Sequence, residues 1–111
     1  MDSSLLLGTL ELLVLKSLSL EPMHGWGMAQ RIEQMSYGVF LVNQGSLYPA
    51  LQRMKRKGWI KSEWRASDNN RRARYYMLTA AGRKQLGIER ADFERATEAM
   101  FRVLDWAGGV A

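Results

Sequence analysis

The residues best equipped for chemistry are hydrogen-bond donors gathered in the middle of the chain. The stretch NQGSLYPALQRMKRKGW, residues 43–59, starts with small and uncharged polar residues, continues through spaced apolar ones, and has four basic residues within five positions near its end. A second stretch, NNRRARYY at residues 69–76, adds three arginines. Amide, hydroxyl and guanidinium groups hydrogen-bond to base edges and to phosphate oxygens. These residue types therefore indicate non-covalent recognition of a polyanion.

No set of residues forms a recognisable catalytic or metal-binding motif. There is one histidine, His24, and no cysteine, so disulfides, thiolate chemistry and His/Cys metal clusters are excluded. No glycine-rich phosphate loop, nucleophile elbow or HExxH spacing is present. We therefore expect no enzyme activity, no cofactor and no bound metal, and we predict that His24 caps or packs at the start of a helix.

The charge is distributed unevenly along the sequence. Residues 44–84 hold eleven of the sixteen lysines and arginines and only two acids, Glu63 and Asp68, which gives this segment a net charge of +9. The remaining residues carry five bases and nine acids, a net charge of −4. A basic middle between acidic ends favours a surface that binds a polyanion. The alternative is a solvated cationic face without a ligand.

Length and composition indicate one soluble domain. The chain has 111 residues, of which 47% are hydrophobic and 24% are charged, as is usual for a globular protein. The leucine-rich run at residues 5–20 is interrupted by Gly8, Thr9, Glu11 and Lys16. It is therefore too short and too polar to cross a bilayer, and it lacks the layout of a signal peptide. We expect a cytoplasmic protein with no membrane partner.

Apolar periodicity predicts four helices and a β-hairpin. The predicted helices cover residues 9–19, residues 24–35, a segment that starts between Asn43 and Ser46 and ends at Gly58, and a final segment from the Thr79 cap to about residue 106. A brief strand is expected at residues 39–42, and two alternating strands at 59–65 and 72–78 flank a polar loop at 66–71. In the third helix, Pro49 favours a late effective start, because proline is tolerated only near the first turn.

Three helices followed by a two-stranded wing predict a winged helix-turn-helix. The expected fold class is α+β, mostly α, with residues 1–78 as the DNA-binding domain and residues 79–111 as a long C-terminal dimerisation helix. In such a motif the third helix enters the major groove of DNA by its N-terminal part. The wing then either straddles the phosphate backbone or enters the minor groove, where arginine is favoured electrostatically.

The candidate DNA contacts come from the outer face of the third helix and from the wing. If Leu47, Leu51 and Met54 point inward, the helix presents Gln44, Gly45, Ser46, Tyr48, Pro49, Gln52, Arg53 and Arg56, and the wing adds Asn70, Arg71, Arg72, Arg74 and Tyr76. Tyr48 either touches DNA or packs against the second helix. Tyr76 either donates its hydroxyl to phosphate or packs beneath the wing. Without the wing, an amphipathic surface helix with a basic end would explain the third helix equally well.

The last predicted helix carries an apolar stripe suited to a second copy of the chain. Leu86, Phe93 and Met100 are spaced by seven residues, and Ala96, Val103 and Leu104 extend the same side. We expect Leu86, Phe93, Ala96, Met100 and Leu104 to line a dimer interface and any ligand pocket at that interface.

Three segments together resemble the PadR family of bacterial transcriptional regulators. They are HGWGMAQRIEQ at residues 24–34, QGSLYPALQRMKRKGWI at 44–60 and NNRRARYYMLTAAGRKQL at 69–86. The resemblance implies a winged-helix homodimer, usually a repressor, that binds double-stranded DNA at inverted-repeat operators and is released by small hydrophobic or phenolic compounds. It also implies that the contacts to DNA come from the third helix and from Arg71, Arg72 and Arg74.

Two positions depart from the pattern of the resembled family. Trp26 stands where relatives often have tyrosine, and Phe93 stands where relatives often have tryptophan. In some relatives, paired tryptophans at that position sandwich a flat ligand across the dimer axis. Phenylalanine can stack but lacks the indole N–H, so Phe93 is either a ligand-stacking residue or a plain residue of the dimer core.

Two functions other than DNA-binding regulation are compatible with the same sequence. The first is a winged-helix protein-interaction module that uses its basic face for an acidic partner. The second is a ligand-sensing dimer in which DNA binding is secondary.

Overall fold

The computed structural model describes residues 3–66 and 69–109, with the backbone alone described for residues 3–7. The elements are α1 (Ser3–Leu20), β1 (Met23–His24), α2 (Gly25–Met35), α3 (Gln44–Arg56), β2 (Ile60–Ala66), β3 (Arg72–Leu78) and α4 (Ala80–Leu104). The predicted class, α+β and mostly α, is confirmed. None of the helices in these ranges combines the length and the hydrophobicity that crossing a bilayer requires.

Helix α1 is the centre of the fold. It packs against α2, α3, α4 and β3, and Val14, Leu15 and Leu18 are buried at its core-facing side. The helix begins six residues before the predicted start at residue 9, because its first turns consist of serines and leucines that tolerate helical geometry and Gly8 does not interrupt it. The core is completed by Met23, Met28, Ala29, Ile32, Leu47, Leu51, Met54, Ile60 and Tyr76.

Helix α2 begins where its cap was predicted. The backbone N–H of Gly27 donates to Nδ1 of His24 at 2.9 Å, so His24 is the N-cap residue. It caps the helix with its imidazole ring, whereas most N-cap residues use a hydroxyl, amide or carboxylate oxygen. The helix ends at Met35, and the next turn places both Tyr37 and Gly38 at positive φ, 53° and 80°. Gly38 is therefore part of a left-handed turn that begins one residue earlier.

The strand predicted at residues 39–42 is wrong. This segment is irregular, and its apolar side chains Val39, Phe40 and Leu41 are exposed. The small sheet has the order β1-β3-β2 within the described residues, so the strand that the sequence missed is β1. A two-residue strand has no periodicity to detect, since only its pairing with Tyr75 and Tyr76 of β3 defines it.

Helix α3 starts at its first possible residue, not late. Asn43 caps it, with Oδ1 accepting from the Gly45 N–H at 2.6 Å, and Pro49 is the sixth residue of the helix. Proline has no N–H to donate to the carbonyl of Gly45, and Gly45 is exposed, so water can serve that carbonyl. Leu47, Leu51 and Met54 are buried as predicted.

The hairpin pairs β2 with β3 in a fixed antiparallel register. Ile60 lies opposite Leu78, and Trp64 lies opposite Arg74. Side chains alternate across a sheet, so the face that enters the core with Ile60 continues outward to Trp64. The polar loop predicted at residues 66–71 is shorter at its start, because Ala66 belongs to β2; its residues 67 and 68 lie outside the described residues.

Helix α4 is joined tightly to the base of the hairpin. Thr79 caps it by accepting from the Gly82 N–H at 3.0 Å, and the Thr79 hydroxyl donates to the carbonyl of Gly58 at 2.6 Å. The helix ends at Leu104, two residues before the predicted end, and Asp105 follows as its C-cap. Its first part packs against α1, whereas the C-terminal part extends away from the core and is exposed.

Candidate nucleic-acid interface

The outer face of α3 is a polar surface open to solvent. The helix buries one side because Leu47, Ala50, Leu51 and Met54 recur at helical spacing. Seven of the eight candidate contact residues on this helix are exposed: Gln44, Gly45, Ser46, Tyr48, Pro49, Gln52 and Arg56. Their amide, hydroxyl and guanidinium groups are therefore available to an external partner.

Arg53 is the exception on α3. Its Nε donates to Glu11 Oε1 of α1 at 3.3 Å, and Glu11 is only 8% exposed. The Nη2 atom of Arg53 is buried and has no hydrogen-bond partner among the described residues. In the free chain the guanidinium of Arg53 fastens α3 to α1, because a buried carboxylate such as Glu11 requires a charged partner. The contact of Arg53 with DNA stays a prediction.

The inner face of the wing, defined here as Ser62, Trp64, Arg72 and Arg74, carries two guanidinium groups over one aromatic ring. The Cζ atoms of Arg72 and Arg74 lie 5.4 Å and 4.8 Å from the centroid of the Trp64 ring. Arg74 also donates from Nη1 to the hydroxyl of Ser62 at 2.9 Å. Both distances to the ring are within the range of a cation–π contact.

On the outer face of the wing, the charge of an arginine is neutralised by a carboxylate. Arg65 forms an ion pair with Glu63 on the same strand, and its guanidinium lies 5.5 Å from the ring of Tyr75. An arginine that already has a carboxylate partner offers less net charge to a ligand. The two faces of the wing therefore differ in the charge that they present.

A groove of about 830 Å³ separates the wing from the start of α2 and from α3. It brings Tyr48 and Gln52 of α3 together with Arg71, Arg72, Arg74 and Tyr76, and it is completed by His24, Gly25, Trp26, Trp64, Asn69 and Ala73. Seven of the predicted contact residues are not among its lining residues: Gln44, Gly45, Ser46, Pro49, Arg53, Arg56 and Asn70. The first four lie in the first half of α3, beyond the groove.

The two tyrosines in the candidate set have packing roles. Tyr76 is 3% exposed and belongs to the core, and burial raises the pKa of its hydroxyl above the usual value, with the positive charge of Arg74 acting in the opposite direction. Tyr48 lies against α2, since a Cβ atom on Gly25 would lie 2.7 Å from its hydroxyl oxygen. The packing alternative considered for each residue is favoured, although Tyr48 keeps an exposed edge.

The residue that the sequence did not single out is Trp64. The residue is 53% exposed and lines the groove. The alternation of β2 assigns Trp64 to the side of Ile60, and the alternation of β3 groups Arg72 with Arg74. Only the register of the hairpin shows that these two sides are the same face, and register cannot be read from either strand alone.

The apolar stripe on α4 divides into two parts. Leu86 is half-buried against the core of its own chain, so only part of its surface is open to another chain. Phe93 and Met100 are 45% and 48% exposed, and Ala96 and Leu104 are also exposed. The part of the stripe available to a partner therefore begins near Phe93.

The chain matches one family model across most of its length. The model is described as the transcriptional regulator PadR-like family, and the match covers residues 14–88. That range includes α2, α3 and the wing. A search of curated protein sequences gives no match.

Solved structures reproduce the same architecture. A transcriptional regulator from Clostridium thermocellum superposes with a TM-score of 0.81 at 20% identity, over 92% of this chain and 96% of that chain; this likeness concerns the fold. A PadR family transcriptional regulator from Eggerthella lenta gives a TM-score of 0.76 at 26% identity, over 93% and 91%. A PadR-like transcriptional regulator from Bacillus cereus gives 0.75 at 25% identity, over 89% and 94%.

Proposed function

Because this chain belongs to the PadR-like family of transcriptional regulators, we propose that it recognises a specific DNA sequence as a homodimer and represses transcription there. Family membership makes it a DNA-binding regulator rather than an enzyme. In the proposal, residues 1–78 bind DNA and residues 79–111 hold two copies together.

The observation that carries the proposal is the polar outer face of α3 beside the cationic inner face of the wing. A helix N-terminus offers free backbone N–H groups and a partial positive charge, which suit phosphate oxygens. In the proposed complex, the side chains of Gln44, Ser46 and Gln52 meet base edges in the major groove. Gly45 allows close approach of the helix, and Arg56 contacts phosphate.

The dimer is proposed from the exposed apolar stripe of α4. Phe93, Met100 and Leu104 are large apolar side chains on a helix segment that its own domain does not cover. Exposed apolar area of this kind typically marks an association surface. Two copies related by a twofold axis would present two copies of α3, which fits an inverted repeat with half-sites one helical turn or a multiple apart.

A small hydrophobic or phenolic effector is proposed only as an addition to DNA binding. Its site would lie at the dimer interface near Phe93, where an aromatic ring is exposed. Phenylalanine supplies stacking but no hydrogen-bond donor, so a flat apolar ligand suits this position better than one that requires a donor.

The test is a gel-shift titration with the duplex immediately upstream of the gene, compared with a scrambled duplex at several salt concentrations. We expect preference for the upstream duplex and a steep loss of affinity with salt, since several phosphates are neutralised. The double variant Gln44→Ala/Ser46→Ala should reduce the preference. Equal affinity for both duplexes, unaffected by this variant, would contradict sequence-specific regulation and favour a protein-interaction module with an acidic partner.

A further inference from the structure

We propose that Trp64 is a positioning residue for DNA binding. Its ring holds Arg72 and Arg74 as a pair of guanidinium groups, called here the arginine clamp, that contacts the sugar-phosphate backbone of one strand in the groove between the wing and α3. The inference rests on the proposed function and deepens it, because it identifies what the wing binds and what keeps its two arginines in place.

The hairpin register makes the arrangement possible. Trp64 is paired with Arg74, and Arg72 is paired with the next residue of the same face, Ala66. Directly opposite and diagonal neighbours on one face of an antiparallel pair are within reach of aromatic and long side chains. One tryptophan ring can therefore contact two arginines, and the distances of 4.8 Å and 5.4 Å show that it does.

Contact with the ring restricts the arginines without using their hydrogen-bond donors. A guanidinium group packs on an aromatic ring by its flat face, and its N–H groups stay available in the plane. One of these donors, from Arg74, is bound by the Ser62 hydroxyl. Restricting two flexible side chains before the ligand arrives lowers the entropy that binding has to offset.

Among the residues that the structure describes, none neutralises the charge of the arginine clamp on its own face. Among the described residues that line the groove, none is acidic. On the opposite face of the same wing, Arg65 has Glu63 as its partner. Two cations over one ring, with no carboxylate beside them in the described part of the wing, favour binding of an external anion, and a phosphodiester strand supplies a series of anions.

The position of the arginine clamp decides between the two modes of wing contact considered from the sequence. Arg72 and Arg74 border the same groove as Gln52 of α3. A DNA strand whose backbone follows α3 would therefore lie between Gln52 and the two arginines. Arginines that read the minor groove would have to project beyond the tip of the wing, whereas the contacts with Trp64 keep both guanidinium groups over the inner face. The geometry therefore favours a contact with the strand backbone for Arg72 and Arg74.

The experiment measures the affinity and the salt dependence of binding to the upstream duplex. Trp64→Leu should weaken binding roughly 5- to 30-fold, the effect expected when two arginine side chains have to be ordered on binding. It should also flatten the slope of log affinity against log salt by about one unit for each phosphate that the arginines no longer neutralise. Trp64→Phe should recover part of the affinity, because it keeps a ring.

The matched control is Tyr75→Leu. It removes the aromatic ring that Arg65 contacts on the opposite face of the same wing. We expect the affinity to stay within about twofold of the parent value, and the salt slope to change by only a fraction of a unit. Circular dichroism verifies that each variant is folded. An equal loss of affinity in Trp64→Leu and Tyr75→Leu would overturn the proposal, since it would show a general effect on the wing.

A double-mutant cycle tests whether Trp64 acts through the arginines. In an Arg72→Ala/Arg74→Ala background, Trp64→Leu should cause no further loss of affinity, because there is nothing left to position. The same loss in both backgrounds would overturn the proposal. Arg72→Lys/Arg74→Lys gives a second test that leaves Trp64 intact: it keeps the charge but removes planar stacking, and unchanged affinity would contradict the arginine clamp.

These outcomes differ from a failure of the proposed function. If the parent protein shows no preference for the upstream duplex, sequence-specific regulation fails and the arginine clamp fails with it. If the parent shows that preference and the Trp64 variants behave like the parent, only the positioning role of Trp64 is rejected.

Discussion

At the scale of single residues, two arginines on α3 lie in different environments. Arg53 and Arg56 both belong to the basic end of α3. Only the structure separates them, because Arg53 reaches the buried Glu11 of α1 and Arg56 is exposed. The helical positions follow from sequence spacing, whereas the carboxylate that engages one of them is 42 residues away.

Arg53→Ala should therefore reduce stability more than Arg56→Ala does. Removing Arg53 leaves Glu11 buried without its charged partner, which we expect to cost about 1–3 kcal/mol after allowance for the partial exposure of Arg53. Arg56→Ala should change the free energy of unfolding by less than about 0.5 kcal/mol while weakening DNA binding. Urea denaturation of both variants checks this, and equal stability would contradict the role assigned to the ion pair.

Glu89 on α4 gives the fold a dependence on pH. Burial raises the pKa of its carboxyl group above the usual value, the hydrogen bond from Gln85 lowers it, and the negative charge of Glu11 raises it. The Oε2 atom of Glu89 is buried without a hydrogen-bond partner in the described part of the chain. Burial therefore disfavours the Glu89 carboxylate in the fold relative to the same carboxylate in the unfolded chain.

Stability should fall as pH rises through the interval between the ordinary pKa of Glu89 and its raised pKa in the fold. Over this interval the folded chain binds more protons than the unfolded chain. Glu89→Gln should therefore melt at a higher temperature than the parent at pH 7, and the difference should shrink as the pH approaches 4. Glu98→Gln, an exposed position on the same helix, is the control; a constant difference for Glu89→Gln across pH would reject the assignment.

At the scale of elements, the helices were predictable and their partners were not. His24, Asn43 and Thr79 are capping residues in the structure, and the spacing of Leu47, Leu51 and Met54 identified the buried face of α3. These features depend on neighbours in sequence. The predicted strand at residues 39–42 failed, and β1 was missed, because a strand exists only through its pairing with distant residues.

The candidate interface was predictable to the same degree. Residue types and helical spacing identified the exposed polar face of α3, and alternation put Arg72 and Arg74 on one side of a strand. The contact of Arg72 and Arg74 with Trp64 and the pairing of Arg53 with Glu11 were not predictable, because both depend on which elements meet. Tyr76 is a further example. Because its ring is apolar and ends in a polar hydroxyl, the sequence allowed both a contact with phosphate and a packing role, and only the packing of the elements shows that the residue is buried.

The junction between the hairpin and α4 depends on one glycine. A Cβ atom on Gly82 would lie 2.0 Å from the carbonyl oxygen of Trp59, so Gly82→Ala should force the helix away from the hairpin and cost about 1–3 kcal/mol. Gly87→Ala, on the same helix with no atom within 4 Å of its added Cβ, should instead be neutral or stabilise the protein by up to about 1 kcal/mol. Thermal melts of both variants check this, and matching effects would contradict the close contact.

At the scale of the whole molecule, α4 has two parts: its first part packs against the core, and its C-terminal part is exposed. The proposed dimer predicts that Met100→Asp dissociates it, since a charge would have to be buried without a partner. Analytical ultracentrifugation should show monomers, with Ala91→Asp as a control that adds the same charge on the other side of α4. A Met100→Asp variant that sediments like the parent would disprove the proposed interface.

The direct junction at Thr79 has a mechanical consequence for the proposed dimer. In the proposed dimer, α4 would act as a stiff arm, because Thr79 fastens it to the hairpin without a flexible linker. The length and tilt of α4 would then set the separation and angular phase of the two α3 helices. A dimer built in this way would measure distance along DNA: inserting five base pairs between half-sites, roughly half a helical turn, would rotate one site to the far side of the duplex and leave only one copy engaged.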